Sequence, residues 1–224
     1  MERDVPRARP IGGVPLHSRV LKRLYALVAA AVIAAGALIP ALPAIGATDT
    51  PPFEIVFPQE TSKTEFSSTF GASRSGGRSH KGNDLLAPRM TEVYSIADGV
   101  VFYVGTNNLS GRNVKIDHGG GWESYYLHLN NDNIGTDDGD APWTLTIAPG
   151  VEEGMKVEAG QLIAWVGDSG NAEGTTTHTH FELHHDGSAV DPHSLLVEAY
   201  ERDSALQDAP SISELADVAD YEIE

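Results

Sequence analysis

Short runs in which hydrophobic and polar residues alternate fill most of the chain between residues 66 and 196. Each run is bounded by Gly, Asn or Asp, and none of these residues shows a helical pattern longer than two turns. Alternation with a period of two places successive side chains on opposite faces of a strand, so that one face can be buried. The pattern predicts an all-β fold, an antiparallel sandwich or barrel. The clearest runs are residues 93–96, 99–104, 113–117, 123–129, 161–166 and 180–184.

The first 47 residues have a different pattern, typical of an export signal. Six basic residues precede or flank an uncharged stretch that begins at Leu24 and ends among the small residues before Ala47. Pro40 and Pro43 predict that its helix stops near residue 39, which favours cleavage at Ala44 or Ala47 over retention as a membrane anchor. We therefore expect an exported protein, extracellular or associated with the cell wall or envelope. Contact with a membrane is expected only through an uncleaved signal helix.

The remaining segments complete the predicted organisation of the chain. Residues 48–65 are expected to be a linker and a first strand, residues 66–196 the main domain, and residues 197–224 an acidic tail. A short helix from Leu195 to Leu206 is predicted at the start of that tail. The acidic loop at 130–142 lacks the spacing of a calcium-binding loop, so a solvated loop is expected there.

Charge and composition exclude several functions. The chain has 15 basic and 32 acidic residues, a net charge of −17, and the residues after position 47 alone carry −21. A polyanion gains nothing from counterion release on DNA or RNA, so no nucleic-acid partner is expected. Since the chain has no cysteine, any metal site must use His and carboxylate ligands.

Histidines provide the candidate chemistry. His178 and His180 fall in one strand, where residues two apart share a face, so both imidazoles and Glu182 point the same way. His80 and Asp84 are four residues apart, but Gly82 and Asn83 between them favour a loop or the start of a strand over a helix. The opposite face of the His178 strand carries the apolar row Thr179, Phe181 and Leu183, which is expected to face the core.

Two imidazoles and one carboxylate suit Zn²⁺, which accepts nitrogen and oxygen donors in tetrahedral geometry. Three protein ligands leave a fourth position for water, the arrangement of a catalytic site. A further histidine beside the metal can take a proton from the water or stabilise an oxyanion. His128, within the run Tyr-Tyr-Leu-His-Leu, is the leading candidate for such a role.

Five segments in order resemble the lysostaphin-type (LytM-like) zinc endopeptidases, which cut peptide cross-links in bacterial peptidoglycan. The first, from His80 to Pro88, is similar to the family segment H-x-G-x-D-x-x-A-P. The last, from His178 to Glu182, corresponds to H-x-H-F-E. Between them lie segments similar to A-D-G-x-V, Y-x-H-L and G-Q-x-I-x-x-V-G-x-S-G, at residues 97–101, 126–129 and 160–170.

The resemblance implies a complete catalytic site. His80, Asp84 and His180 would bind one zinc ion per chain, and His178 would act as the general base on water. His128 would stabilise the tetrahedral intermediate, although the two histidines could exchange or share these roles. The implied protein is a secreted monomer with a groove over its main sheet, and its substrate is a peptidoglycan peptide.

Two other functions remain open at this stage. One is a non-catalytic module of the same fold that binds peptidoglycan or activates a cell-wall amidase. Members of that kind typically lose zinc ligands, whereas His80, Asp84 and His180 are all present. The other is a biotinyl or lipoyl carrier domain, which needs a Lys in a tight turn. Lys156, the nearest one, precedes its strand instead.

Overall fold

The computed structural model describes residues 50–208. The predicted export signal (residues 1–47) and the end of the acidic tail after residue 208 lie outside the described residues. Within the described residues, no helix is long and apolar enough to cross a membrane.

Eleven strands and one α-helix form the regular structure of residues 50–208. Most strands are short, but four have eight or nine residues, and three of these four follow one another near the centre of the chain. They are β1 (Ser73–Arg74), β2 (Arg78–Ser79), β3 (Asn83–Leu86), β4 (Glu92–Tyr94), β5 (Gly99–Asn107), β6 (Gly111–Gly119), β7 (Trp122–Leu129), β8 (Lys156–Val157), β9 (Leu162–Trp165), β10 (His178–His185) and β11 (Ser188–Val190), and the helix is α1 (His193–Asp208).

An antiparallel sheet of seven strands dominates the fold, which confirms the all-β prediction. Its order is β11-β10-β7-β6-β5-β8, and β3 pairs with the first half of β10 on the edge that β11 occupies further along. Two small sheets, β1–β2 and β4–β9, complete the strand pairing among the described residues. Strand β10 therefore pairs with three neighbouring strands, and side chains from all three can meet on one of its faces.

The alternation in β10 separates a hydrophobic face from a polar one, as predicted. Thr179, Phe181 and Leu183 are fully buried in the core, where the Phe181 ring packs edge-on against Tyr126 with 5.5 Å between ring centroids. On the other face, His180 and Glu182 are also largely buried, being 7% and 8% exposed. This polar face is therefore the floor of a groove and not an open surface.

Helix α1 packs into the same core as the sheets. It spans His193–Asp208, slightly longer than predicted, and buries Leu196 completely. The segment before residue 66 joins it, because Phe57 is buried and its backbone N–H donates a hydrogen bond of 2.8 Å to the Asp203 carboxylate. The packed core thus extends on both sides beyond residues 66–196.

The acidic loop at 130–142 differs from its prediction at its first residues. Asn130 and Asp132 are fully buried, whereas most of residues 133–140 are exposed as expected. The cause is Arg89, whose guanidinium forms ion pairs with Asp132, Asp137 and Asp168. A buried carboxylate requires such a partner, and here the partner comes from a segment more than 40 residues away.

Candidate metal centre and active site

Three side chains converge at one point on the groove floor. His80 lies in the loop before β3, Asp84 lies in β3, and His180 lies directly opposite Asp84 in the antiparallel register with β10. The Asp84 Oδ1 atom is 2.9 Å from both His80 Nε2 and His180 Nδ1, and these two nitrogens are 2.7 Å apart. The pairing of β3 with β10 thus brings together residues nearly 100 positions apart.

The outer nitrogen of each imidazole is anchored, which fixes the direction of the inner one. His80 Nδ1 lies 2.8 Å from the Thr69 carbonyl oxygen, and His180 Nε2 lies 2.9 Å from Glu182 Oε1. A carbonyl oxygen and a carboxylate oxygen both accept hydrogen bonds, so each of these outer nitrogens carries the proton. When the two rings are neutral, as metal ligands are, the lone pairs of His80 Nε2 and His180 Nδ1 are therefore directed toward Asp84, as in metal sites whose histidines are held by outer hydrogen bonds.

The electrostatics of the centre favour an ionised carboxylate. Burial alone would raise the pKa of Asp84, but hydrogen bonds and charge interactions with His180 and His80 outweigh it and hold that pKa far below its usual range. Arg74 also donates to Asp84 Oδ2 at 2.5 Å. Burial opposes charge on His180 as well, yet its contacts with Asp84 and Glu182 raise its pKa.

The donor set fits a divalent metal ion. Three electron-rich atoms less than 3 Å apart repel one another unless protons or a cation lie between them. Two imidazole nitrogens and one carboxylate oxygen are the ligands that zinc takes in catalytic sites, where a fourth position stays open. These residues could therefore hold zinc.

His178 lies at the edge of this centre. Its Nε2 is 3.9 Å from Asp84 Oδ1, and its Nδ1 is 2.7 Å from the Thr176 carbonyl oxygen. The carbonyl accepts the Nδ1 proton, so that the neutral imidazole presents its Nε2 lone pair to the groove. The ring is mostly buried but retains some exposure, as a group that meets a substrate must.

A bulge in β7 brings His128 to the same place. The residues Leu127 and His128 together oppose only one residue of β6, and His128 has a left-handed backbone with φ 61°. In a regular strand His128 would share the core-facing side of Tyr126, whereas the extra residue reverses its direction. Its ring centroid lies 5.2 Å from that of His178.

The environment keeps His128 neutral. Burial lowers the pKa of His128 to about 4, despite a hydrogen bond of 2.8 Å from its Nδ1 to the Ser169 carbonyl oxygen. At neutral pH the Nδ1 atom therefore donates to Ser169 and Nε2 is a free acceptor. All five residues that the sequence singled out thus lie in one cluster on the groove floor.

Two further side chains contact the centre, and the sequence indicated only one of them. Glu182 was expected as a groove carboxylate, and it also accepts a hydrogen bond of 2.6 Å from His184 Nε2. Arg74 was not expected at all, because it lies ten positions before Asp84 and outside any run that the sequence singled out. A clustering of basic residues at 74–81, in a chain this acidic, was the available signal.

An antiparallel β-sheet groove with a His₂Asp cluster and two further histidines defines a metallopeptidase-like class of protein. The sequence profile of peptidase family M23 matches residues 78–141 and 144–192, about half of the chain. The chain belongs to peptidase family M23.

Curated relatives agree with this assignment. The chain is 32% identical over 118 residues to the DD-carboxypeptidase/endopeptidase Mpg of Neisseria meningitidis, covering 53% of this chain and 23% of that protein. It is 30% identical over 154 residues to the L-Ala--D-Glu endopeptidase of Bacillus subtilis, covering 62% and 43%. The chain thus spans less than half the length of these relatives.

The fold is also that of a solved structure of the SpoIIQ–SpoIIIAH pore-forming complex. The match has a TM-score of 0.52 with 20% identity, and it covers 70% of this chain and 98% of that one. At this identity the likeness concerns the fold alone.

Proposed function

We propose that this protein is an exported, zinc-dependent endopeptidase that hydrolyses peptide cross-links of bacterial peptidoglycan. The observation that carries the proposal is the convergence of His80 Nε2, Asp84 Oδ1 and His180 Nδ1 within 2.9 Å of one another, with His178 beside them. The peptidoglycan DD-endopeptidase ShyA of Vibrio cholerae, to which the chain is 32% identical over 104 residues, supports the substrate class. The charge pattern of residues 1–47 supports export.

The metal would be held by His80, Asp84 and His180. When bound, zinc supplies Lewis-acid chemistry, polarising a peptide carbonyl and making water a nucleophile at neutral pH. The anchoring of both imidazoles by Thr69 and Glu182 keeps the ligand nitrogens in place before the ion arrives. Such preorganisation reduces the cost of binding.

His178 is suited to move the proton in amide hydrolysis. Its Nε2 lone pair lies next to the ligand atoms, so it can accept a proton from the attacking water as the new C–O bond forms. The same nitrogen can then donate that proton to the leaving amine as the C–N bond breaks. Because Thr176 holds Nδ1, the ring keeps its orientation in both steps.

The Nε2 atom of His128 is better suited to accept a hydrogen bond than to donate one. Stabilising an oxyanion requires an N–H on Nε2, hence a charged imidazolium when Nδ1 donates to Ser169. The lowered pKa of His128, about 4, opposes that charge. We therefore assign His128 to orienting the attacking water through its Nε2 lone pair, which favours the shared-role alternative left open by the sequence.

Digestion of purified peptidoglycan tests the proposed function. The zinc-loaded full chain is expected to release fragments with new amino and carboxyl ends at one type of peptide bond, identified by mass spectrometry. Stripping the metal with a chelator should stop the release, and adding zinc back should restore it. Wall binding or stimulation of an amidase without any new peptide ends would instead indicate the non-catalytic module.

Glu182 is expected to act as a positioning residue for His180. Glu182→Ala removes the acceptor of His180 Nε2–H, and loss of such an outer partner typically weakens metal binding by about 10- to 100-fold. Glu182→Gln, which keeps an acceptor oxygen, should lose less. The measurement is the zinc dissociation constant in competition with a chelator. Glu123→Gln, on the neighbouring strand β7, is the control and should bind zinc like the wild type.

A further inference from the structure

The hairpin that leads into the centre carries an unusual density of positive charge. Arg74, Arg78 and Lys81 are three of the nine basic residues after position 47, where 30 residues are acidic. They lie on β1, on β2 and directly after His80. We call these three residues the cationic hairpin.

Two of the three charges have no acidic partner in the part of the chain that the structure describes. Arg74 is paired with Asp84 at 2.5 Å. Arg78 donates only to the Ser75 carbonyl and hydroxyl oxygens, at 3.1 and 3.3 Å, and both Arg78 and Lys81 are exposed. Among residues 50–208, no carboxylate lies within ion-pair distance of either. Two exposed cations three residues apart, neither with a carboxylate partner among residues 50–208, are unexpected in so acidic a chain.

The strand register makes this arrangement costly for the isolated protein. Arg74 and Arg78 lie directly opposite each other in the antiparallel β1–β2 pair. Like charges at opposed positions destabilise a sheet, and only Arg74 is compensated. An anion that binds at Arg78 would remove this repulsion.

The cationic hairpin also borders the proposed cleavage site. Arg74 contacts Asp84 itself, Arg78 precedes His80 by two residues, and Lys81 follows it. A peptide in the groove that reaches His80 therefore passes these side chains. Because the rest of the described surface is acid-rich, this is where an anionic group of the substrate would be attracted.

We propose that Arg78 and Lys81 bind a free carboxylate of the peptide substrate, with Arg74 adding to the positive field. This inference rests on the proposed function and names its substrate class: a peptide that carries an acidic residue near the bond to be cut. The guanidinium fork of Arg78 suits two-point binding of a carboxylate. The name of the Bacillus subtilis relative, an L-Ala--D-Glu endopeptidase, supports an acidic residue at the cleaved bond.

A matched pair of peptides tests the inference. The first is a peptidoglycan stem peptide with free side-chain carboxylates, and the second is the same peptide with those groups as carboxamides. The zinc-loaded full chain is expected to cleave the first with a kcat/KM about 10-fold higher. The double variant Arg78→Gln/Lys81→Gln should reduce this preference to near unity by raising KM for the carboxylate peptide alone, with kcat unchanged.

Lys156→Gln is the control, because Lys156 is an exposed cation on β8, at the opposite side of the seven-stranded sheet from β10. It should keep the wild-type preference. NMR titration of the metal-free chain with each peptide measures binding without cleavage, and it therefore tests this inference independently of the proposed function. Carboxylate-selective binding that the double variant loses supports the inference even if neither peptide is cleaved.

Three results would overturn the inference. The first is equal cleavage and equal binding of the two peptides by the wild type. The second is a preference for the carboxylate peptide that survives in the double variant. The third is selective binding of inorganic phosphate or a phosphate polymer in place of the carboxylate peptide, which would assign the cationic hairpin to another wall component.

Discussion

Replacing His178 by alanine is expected to lower kcat for peptide hydrolysis by about 10²- to 10⁴-fold, the usual contribution of a general base. The variant should still bind zinc, because His178 Nε2 lies 3.9 Å from Asp84 Oδ1 and is not among the three converging atoms. The measurement combines kcat on a defined stem peptide with zinc content after gel filtration.

His185→Ala is the control on the same strand. His185 lies at the far end of β10, where its ring stacks on Trp122 at 4.2 Å, away from the centre. It should retain wild-type kcat. If His178→Ala hydrolysed the peptide at the wild-type rate, the proton would have to pass through another group, and His128 would be the first to test. Loss of zinc together with activity would make His178 a ligand.

Replacing His180 by alanine is expected to abolish both metal binding and activity. The substitution removes one of the three proposed ligands and leaves His80 as the one imidazole of the cluster within 3 Å of Asp84 Oδ1. It also removes the zinc-dependent stabilisation, which for a wild type at a zinc concentration 1,000 times its dissociation constant is about 4 kcal/mol. For a domain of this size that is a shift in Tm of about 8–16 °C.

The readout is the difference in Tm with and without zinc. The wild type should show a large increase on zinc addition, and His180→Ala should show almost none. His184→Ala is a demanding control, since His184 is on the same face of β10 but contacts Glu182 and not the converging atoms. An undiminished zinc-dependent Tm increase in His180→Ala would show that the metal binds elsewhere.

Periodicity in the sequence was sufficient to predict which face of β10 carries the candidate site residues. Because side chains alternate strictly in a strand, His178, His180 and Glu182 had to share one side if Phe181 and Leu183 faced the core. Phe181 and Leu183 do lie in the core. On the other face, His180 contacts Glu182, and both His178 and His180 lie near Asp84 Oδ1. Gly82 and Asn83 likewise indicated the loop before β3. The structure adds a second reason for the glycine, because a Cβ at position 82 would lie 1.9 Å from the Phe181 carbonyl oxygen.

The position of His128 could not be derived from the same periodicity. Counting by twos from the buried Tyr126 places His128 in the core, and only the bulge at Leu127 and His128 directs it into the groove. A bulge is a pairing of two residues with one on another strand, so it depends on a partner that the local sequence does not specify. The run Tyr-Tyr-Leu-His-Leu and the resemblance to a known family, and not the strand periodicity, singled out this residue.

Ion pairs between residues far apart in the sequence also could not be predicted from local sequence patterns. The loop at 130–142 contains no basic residue, which predicts a solvated segment, yet Arg89 buries its first residues by pairing with Asp132. Arg74 on Asp84 is a similar case. In both, the charge that decides the local structure comes from a segment that only the folded chain brings near.

X-ray diffraction at the zinc absorption edge from crystals of the zinc-loaded chain locates the bound ion. We expect one strong anomalous peak about 2.0–2.2 Å from His80 Nε2, Asp84 Oδ1 and His180 Nδ1. The carboxylates of Asp132, Asp137 and Glu173 form the other group in the described residues that could hold a cation, but Arg89 already pairs with two of them. A peak at that second group, or no peak at the first, would contradict the assignment of His80, Asp84 and His180 as the zinc ligands.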